Sequence, residues 1–187
     1  MAPLPVPAAY KSGQQGLLDL AINEAAASGL EVHLQALDVQ AFGQTVELIA
    51  AKLQARGLTV KRIDQPVDPN SYPELQSRSD ARHPADRDYS SLANSGIQRL
   101  LLIRLAQVGT SRTYIAFVPT NSPQGYARAT GQMVDLRTGE LLWSAASTRI
   151  QPVQHAPGQS WDYPNLDRAI ADAVRIVGKD LANDLAF

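Results

Sequence analysis

Three histidines and one serine near a glycine are the residues in this chain whose types most invite chemistry. Ser160 lies in "GQSWD", five positions after His155. A nucleophilic serine needs a sharp elbow with a glycine on both sides and an apolar strand leading in. Here the second glycine and the strand are both missing, so the stretch reads as an irregular loop, with Trp161 and Tyr163 packing at the edge of the helix that follows. His33, His83 and His155 are far apart, whereas metal-binding histidines usually come in close pairs on one element. His83 stands among Asp80, Asp86 and Asp88, a mixture that reads as a solvated polar loop. "KSGQQG" at 11–16 has a lysine and two glycines, but not the order or the following helix of a phosphate loop. A catalytic carboxylate pair is defined by a distance across a cleft, so the sequence cannot single one out. No catalytic residue, metal or cofactor is expected.

Composition narrows the classes further. The chain has 187 residues, 44% hydrophobic and 19% charged, which suits one globular domain with a sizeable core. A net charge of −1 and the lack of a basic stripe argue against nucleic acid. The absence of cysteine removes disulfides, thiolate nucleophiles and cysteine-bound metals. No run reaches the roughly 20 apolar residues of a membrane helix.

The elements that would position any site are uneven in clarity. Pro3, Pro5 and Pro7 mark residues 1–12 as an expected disordered, proline-rich tether. Residues 13–187 are expected to form a single domain. "GLLDLAIN" at 16–23 leans to a strand and "SGLEVHLQALD" at 28–38 to a short helix. Phe42, Val46, Ile49, Ala50 and Leu53 form one apolar stripe, with Asp38 suited to cap its helix and Gly57 to end it. "LTVKRID" at 58–64 then reads as a strand. Residues 65–88 show no periodicity and are expected to be a long surface loop.

"IQRLLLIRLAQV" reads as a strand buried on both faces, and "GTS" at 109–111 as a turn into a second strand, "RTYIAFV". "YARATGQMVDL" and "ELLWSAASTRI" complete four strands on short connections, which implies an antiparallel meander. The last helix is the plainest: Leu166, Ile170, Ala173, Val174, Val177, Leu181 and Leu185 recur every three or four residues. Pro164 suits its start, and Asp172 is spaced to pair with Arg168 or Arg175. The expected fold is α/β in the α+β sense. A single mixed sheet, with an antiparallel meander in its second half, is packed by helices that include a long C-terminal one.

"GQMVDLRTGELLWSA" at 131–145 carries the most specific pattern. Gly139 suits the positive φ of a bulged hairpin, Asp135 and Thr138 can bond turn amides, and Trp143 can cover apolar surface on the returning strand. Asp-x-x-Thr-Gly-Glu-x-x-Trp also occurs in the tryptophan-docking motifs of quinoprotein β-propellers, but there it repeats once per blade and here it occurs once. Asp135, Thr138, Gly139, Glu140 and Trp143 resemble more closely a hairpin of bacterial envelope lipoproteins of the curli-secretion (CsgG) type and of the TolB N-terminal domain. There it likewise precedes a C-terminal helix.

That resemblance implies an envelope lipoprotein domain, periplasmic and outer-membrane anchored. Its anchor would be a lipidated cysteine just before Ala2, and its partners other envelope proteins or copies of itself. The expected role is a non-enzymatic adaptor or assembly factor, with Tyr72, His83, Tyr89, Trp161 and Tyr163 as candidate interaction surface. A small-ligand or glycan-binding domain is the alternative, with Tyr72, Tyr89, Trp161 and Tyr163 lining a groove.

Overall fold

A computed structural model describes residues 1–14, 28–63, 65–75, 83–116, 118–154 and 160–185. Its strands are β1 (Ala8–Gln14), β2 (Arg99–Ile115), β3 (Val118–Pro119), β4 (Gln124–Asp135) and β5 (Leu141–Gln151). Its α-helices are α1 (Ser28–Gln35), α2 (Gly43–Ala55) and α3 (Tyr163–Asp184), with short 3-10 turns at Gln40–Phe42, Pro69–Ser71 and Ser90–Ser95. The five strands make one mixed sheet in the order β1-β2-β4-β5, with β3 paired to β2. β1 runs parallel to β2, and the remaining neighbours are antiparallel. The expected α+β class, meander and long C-terminal helix are all present.

Each side chain's partner follows from strand alternation. In β2, Ile103 and Leu105 face α2 and α3, while Leu100 and Leu102 face a second, smaller core under the chain between α2 and β2. Four consecutive apolar residues are therefore needed here because both faces are covered. The main core joins them to Ala127 and Ala129 of β4 and to Leu166, Ile170, Ala173, Val177 and Leu181 of α3. Asp162 caps α3 by accepting from the Asn165 N–H at 2.8 Å, with Pro164 in the first turn. Asp172 pairs with Arg175 at 2.9 Å, whereas Arg168 donates to Asn165 instead. Asp38 accepts from the Gln40 N–H ahead of α2, and Gly57 follows that helix at a φ of 80°.

Three expectations change. The anticipated turn at 109–111 does not exist, because β2 runs straight through it as one 17-residue strand. Gly109 is needed for a close approach instead: its φ is 138°, and a Cβ there would collide with the backbone of Ala8. Residues 58–63 carry strand-like alternation but join no ladder; Val60 packs on the main core and Ile63 on the second. Residues 1–12, expected as a tether, lie along β2: Ala2 is buried, its N–H donates to Ile103 O at 3.0 Å, and β1 continues the contact. Proline lacks a donor and so belongs at a sheet edge, which is where Pro3, Pro5 and Pro7 fall. The strand expected at 16–23 lies outside the described residues.

Residues 65–88 are more ordered than a simple surface excursion where they are described. Val67, Ala85 and Tyr89 are buried in the second core, and isolated bridges join Glu74 to Arg87 and Pro84 to Glu140.

Candidate functional site

The β4–β5 hairpin is built as its residue types predict. Asp135 Oδ1 accepts from the N–H groups of Arg137 and Thr138 at 2.9 and 3.0 Å, and Thr138 Oγ1 accepts from Glu140 N–H at 3.2 Å. The Gly139 N–H closes the turn on Asp135 O at 2.8 Å, with Gly139 at a φ of 74°. These donors, the Thr138 amide foremost, hold the Asp135 carboxyl below its ordinary pKa. The turn also docks the preceding loop: Ala85 N–H donates to Gly139 O, Leu141 N–H donates to His83 O at 2.7 Å, and Leu75 fills the space above Gly139. Glu140 takes part through its backbone bridge to Pro84.

Trp143, first on the α3 side of β5, rests where Gly131 has no side chain; a Cβ on Gly131 would stand 2.5 Å from its Cη2. The indole Nε1–H donates to Asp184 Oδ1 at 3.0 Å near the end of α3. Two residues further along the same face, Ser147 Oγ bonds Asp180 Oδ2 at 2.6 Å, and Arg149 Nη2 pairs with that same oxygen at 2.8 Å. Between β5 and the last turns of α3 lies an open groove of about 360 Å³, lined by Ala145, Ser147, Arg149, Asp180 and Asp184 among others. It borders the outer edge of β5. Beyond the docking of residues 83–85 on Gly139–Leu141, no described segment pairs with that edge.

Among the described residues, the opposite sheet face is covered over only part of its length. Near the hairpin it carries the second core, where the Tyr89 hydroxyl accepts from Gln132 Nε2 at 3.1 Å. Further along, Tyr10 and Tyr126 meet with ring centroids 4.9 Å apart, and the Tyr126 hydroxyl donates to Gln107 Oε1 at 2.8 Å. Ile115, Val118 and Ile150 stand exposed on this half.

The candidate interaction residues separate into two groups. Tyr72 and Tyr89 meet each other, centroids 4.9 Å apart, but Tyr89 is 2% exposed. Tyr89 is thus core rather than surface, its ring filling the space between the loop and β2, and burial raises its phenol pKa. His83 is exposed, and its carbonyl rather than its ring does the docking. Trp161 meets Tyr163 edge-on at 5.7 Å, and Tyr163 stacks on His33 at 4.1 Å. His33 Nε2 lies 2.7 Å from Asp167 Oδ1, so this histidine is occupied at the start of α3. His155 lies outside the described residues, and among those described no three histidine or carboxylate groups gather as metal ligands. The Ser147–Arg149–Asp180 cluster had no local signal, since its members are brought together from two elements by packing of α3 on β5.

Comparison with known proteins adds likenesses. No known family matches the chain, and no curated protein sequence does either. Among solved structures, it is similar to a DUF330 protein of Xanthomonas campestris, with a TM-score of 0.35 and 14% identity over 46% of this chain and 43% of that one. The chain thus spans less than half the length of that structure. It is also similar to the lipoprotein GNA1162 of Neisseria meningitidis, with a TM-score of 0.29 and 15% identity over 95% of this chain and 99% of that one. Among the described residues, no helix is long and apolar enough to cross a membrane.

Proposed function

We propose that this chain is a non-enzymatic domain of a bacterial envelope lipoprotein. Held on the periplasmic side of the outer membrane by a lipidated cysteine, it acts as an adaptor or assembly factor. The observation that carries the protein-binding role is the outer edge of β5, an 11-residue strand with a groove beside it and no described neighbour past its first residue. An extended partner segment can satisfy such an edge with backbone hydrogen bonds and set alternate side chains into the groove. The address rests on the resemblance of the Asp135–Trp143 hairpin to those of envelope lipoproteins. The glycan-binding alternative needed Tyr72, Tyr89, Trp161 and Tyr163 around one groove, and their separation into a core pair and an edge pair does not favour it.

The test is to express the native gene in bacteria with labelled palmitate, fractionate the cells, and place a photocrosslinker at Thr148 on the β5 edge. Labelled product in the envelope fraction, crosslinked to another envelope protein or to itself, is the expected result. Unlabelled product in the cytoplasmic fraction overturns the address. Envelope product that yields no protein crosslink from Thr148 overturns the role of the edge.

A further inference from the structure

The two edges of the sheet are protected differently. On the β1 side, the outermost chain carries Pro3, Pro5 and Pro7, then a seven-residue strand containing Lys11. Prolines, charges and short length are the usual devices that stop a sheet edge from pairing with another chain. On the β5 side, the stretch from Leu142 to Thr148 contains no proline, no glycine and no charge. The only charged residue of β5 is Arg149, just past that stretch and turned toward Asp180 on the α3 side. An edge with these features, and with no described segment along it past Leu141, is open to pairing with a partner strand.

We infer that the partner is a second copy of this chain, pairing β5 with β5 in antiparallel fashion about a twofold axis through Ala146. The inference rests on the edge-binding role proposed above and names its occupant. A twofold contact must be self-complementary, each residue answering its counterpart in reverse order. Centring on Ala146 places this small, exposed residue opposite itself. It sets Ser144 opposite Thr148 of the second copy, a hydroxyl pair suited to cross-strand bonding. It flanks them with Leu142 and Ile150, which are 40% and 50% exposed in the single chain.

On the α3 face the same register brings Arg149 of the second copy opposite Trp143, whose indole is already bonded to Asp184. Each guanidinium then lies between its own Asp180 and the other copy's Asp184, over an aromatic ring that favours a cation. Asp184 accepts from the neutral Trp143 indole, so the guanidinium of the second copy brings it a complementary charge. The docking of residues 83–85 on Gly139–Leu141 lies outside the paired span of Trp143–Arg149 and leaves it open. With a net charge of −1, the two copies also repel each other little.

The chain has no cysteine, so one introduced thiol reports the register without background. Ala146→Cys is expected to form a disulfide-linked dimer under mild oxidation. Ser144→Cys, whose two thiols would sit about 13 Å apart in this register, is expected to form little. Sedimentation of the unmodified full chain should show a dimer, and Ala146→Lys should weaken it about tenfold by opposing like charges across the axis. A chain that remains monomeric at ~100 μM, far above a working affinity, overturns the inference. Equal crosslinking of the two cysteine variants overturns it as well. If self-pairing fails in this way while Thr148 still crosslinks to a different envelope protein in cells, the adaptor role survives; loss of both results removes both.

Discussion

Trp143 sits where Gly131 has no side chain, so the indole takes the place of a neighbouring residue's Cβ. The two are diagonal neighbours on the side covered by α3, Gly131 lying opposite Ala145 and Trp143 opposite Met133, and the indole nitrogen is held by Asp184. Gly131→Ala should therefore lower stability by about 1–3 kcal/mol, because the added methyl must push an aromatic ring out of a packed site. Denaturant unfolding followed by tryptophan fluorescence checks this. The double variant Gly131→Ala with Trp143→Phe should cost less than the sum of the two changes, since the smaller ring relieves the clash. Additive losses would mean that the two residues do not share the space.

Asp135 gives the hairpin a pH dependence of definite sign. Its folded carboxyl is held below the ordinary value, chiefly by the Thr138 amide. Its contribution is therefore fully present above the unfolded carboxylate pKa and is lost as pH falls through the lower folded value. Asp135→Ala should cost about 1 kcal/mol at neutral pH, in line with other side-chain-to-backbone caps. The gap between wild type and Asp135→Asn should close on acidification below the ordinary carboxylate range. Stability curves at several pH values decide it, and a gap that widens in acid would rule out this account.

Much of this architecture was readable from the residues because local chemistry determined it. α3 keeps a three-to-four spacing of apolar residues over 22 positions, and the Asp135–Glu140 turn has a residue type suited to each hydrogen bond. The local pattern misleads where a distant contact outweighs it. "GTS" resembles a turn, yet Gly109 serves the approach of Ala8, about a hundred residues earlier in the chain. Residues 1–12 resemble a spacer because proline suits both a spacer and a sheet edge, and only the pairing with β2 separates the two. The groove was invisible for a similar reason. Ser147 and Arg149 meet Asp180 only because apolar residues such as Ala173 and Val177 pack α3 onto the sheet.

Gly109→Ala tests whether the pairing of β1 depends on that close approach. The new Cβ would collide with the Ala8 backbone, and the φ of 138° is one that alanine rarely adopts. The expected result is a loss of about 2 kcal/mol or more, with β1 released ahead of the rest of the sheet. Amide hydrogen exchange should show protection falling in Ala8–Gln14 while Leu101–Leu105 keep theirs. Uniform loss across the sheet would show that β1 is not a separable edge.

Tyr89 makes the complementary prediction in alkali. Burial lifts its phenol above the ordinary value, while the bond from Gln132 and the charge of Arg87 oppose that shift. A raised folded pKa means the contribution is fully present below the unfolded value, ~10, and is lost as pH rises through the folded one. In a phenolate absorbance titration of the folded chain, Tyr89 should ionise late, and Tyr89→Phe should remove that late step. The same substitution leaves the Gln132 amide without its partner and should cost about 1 kcal/mol at neutral pH. If the late step persists in Tyr89→Phe, another tyrosine, most directly the half-buried Tyr10 with its own raised pKa, is its source. The second core would then be more open to solvent at Tyr89 than its packing between the loop and β2 implies.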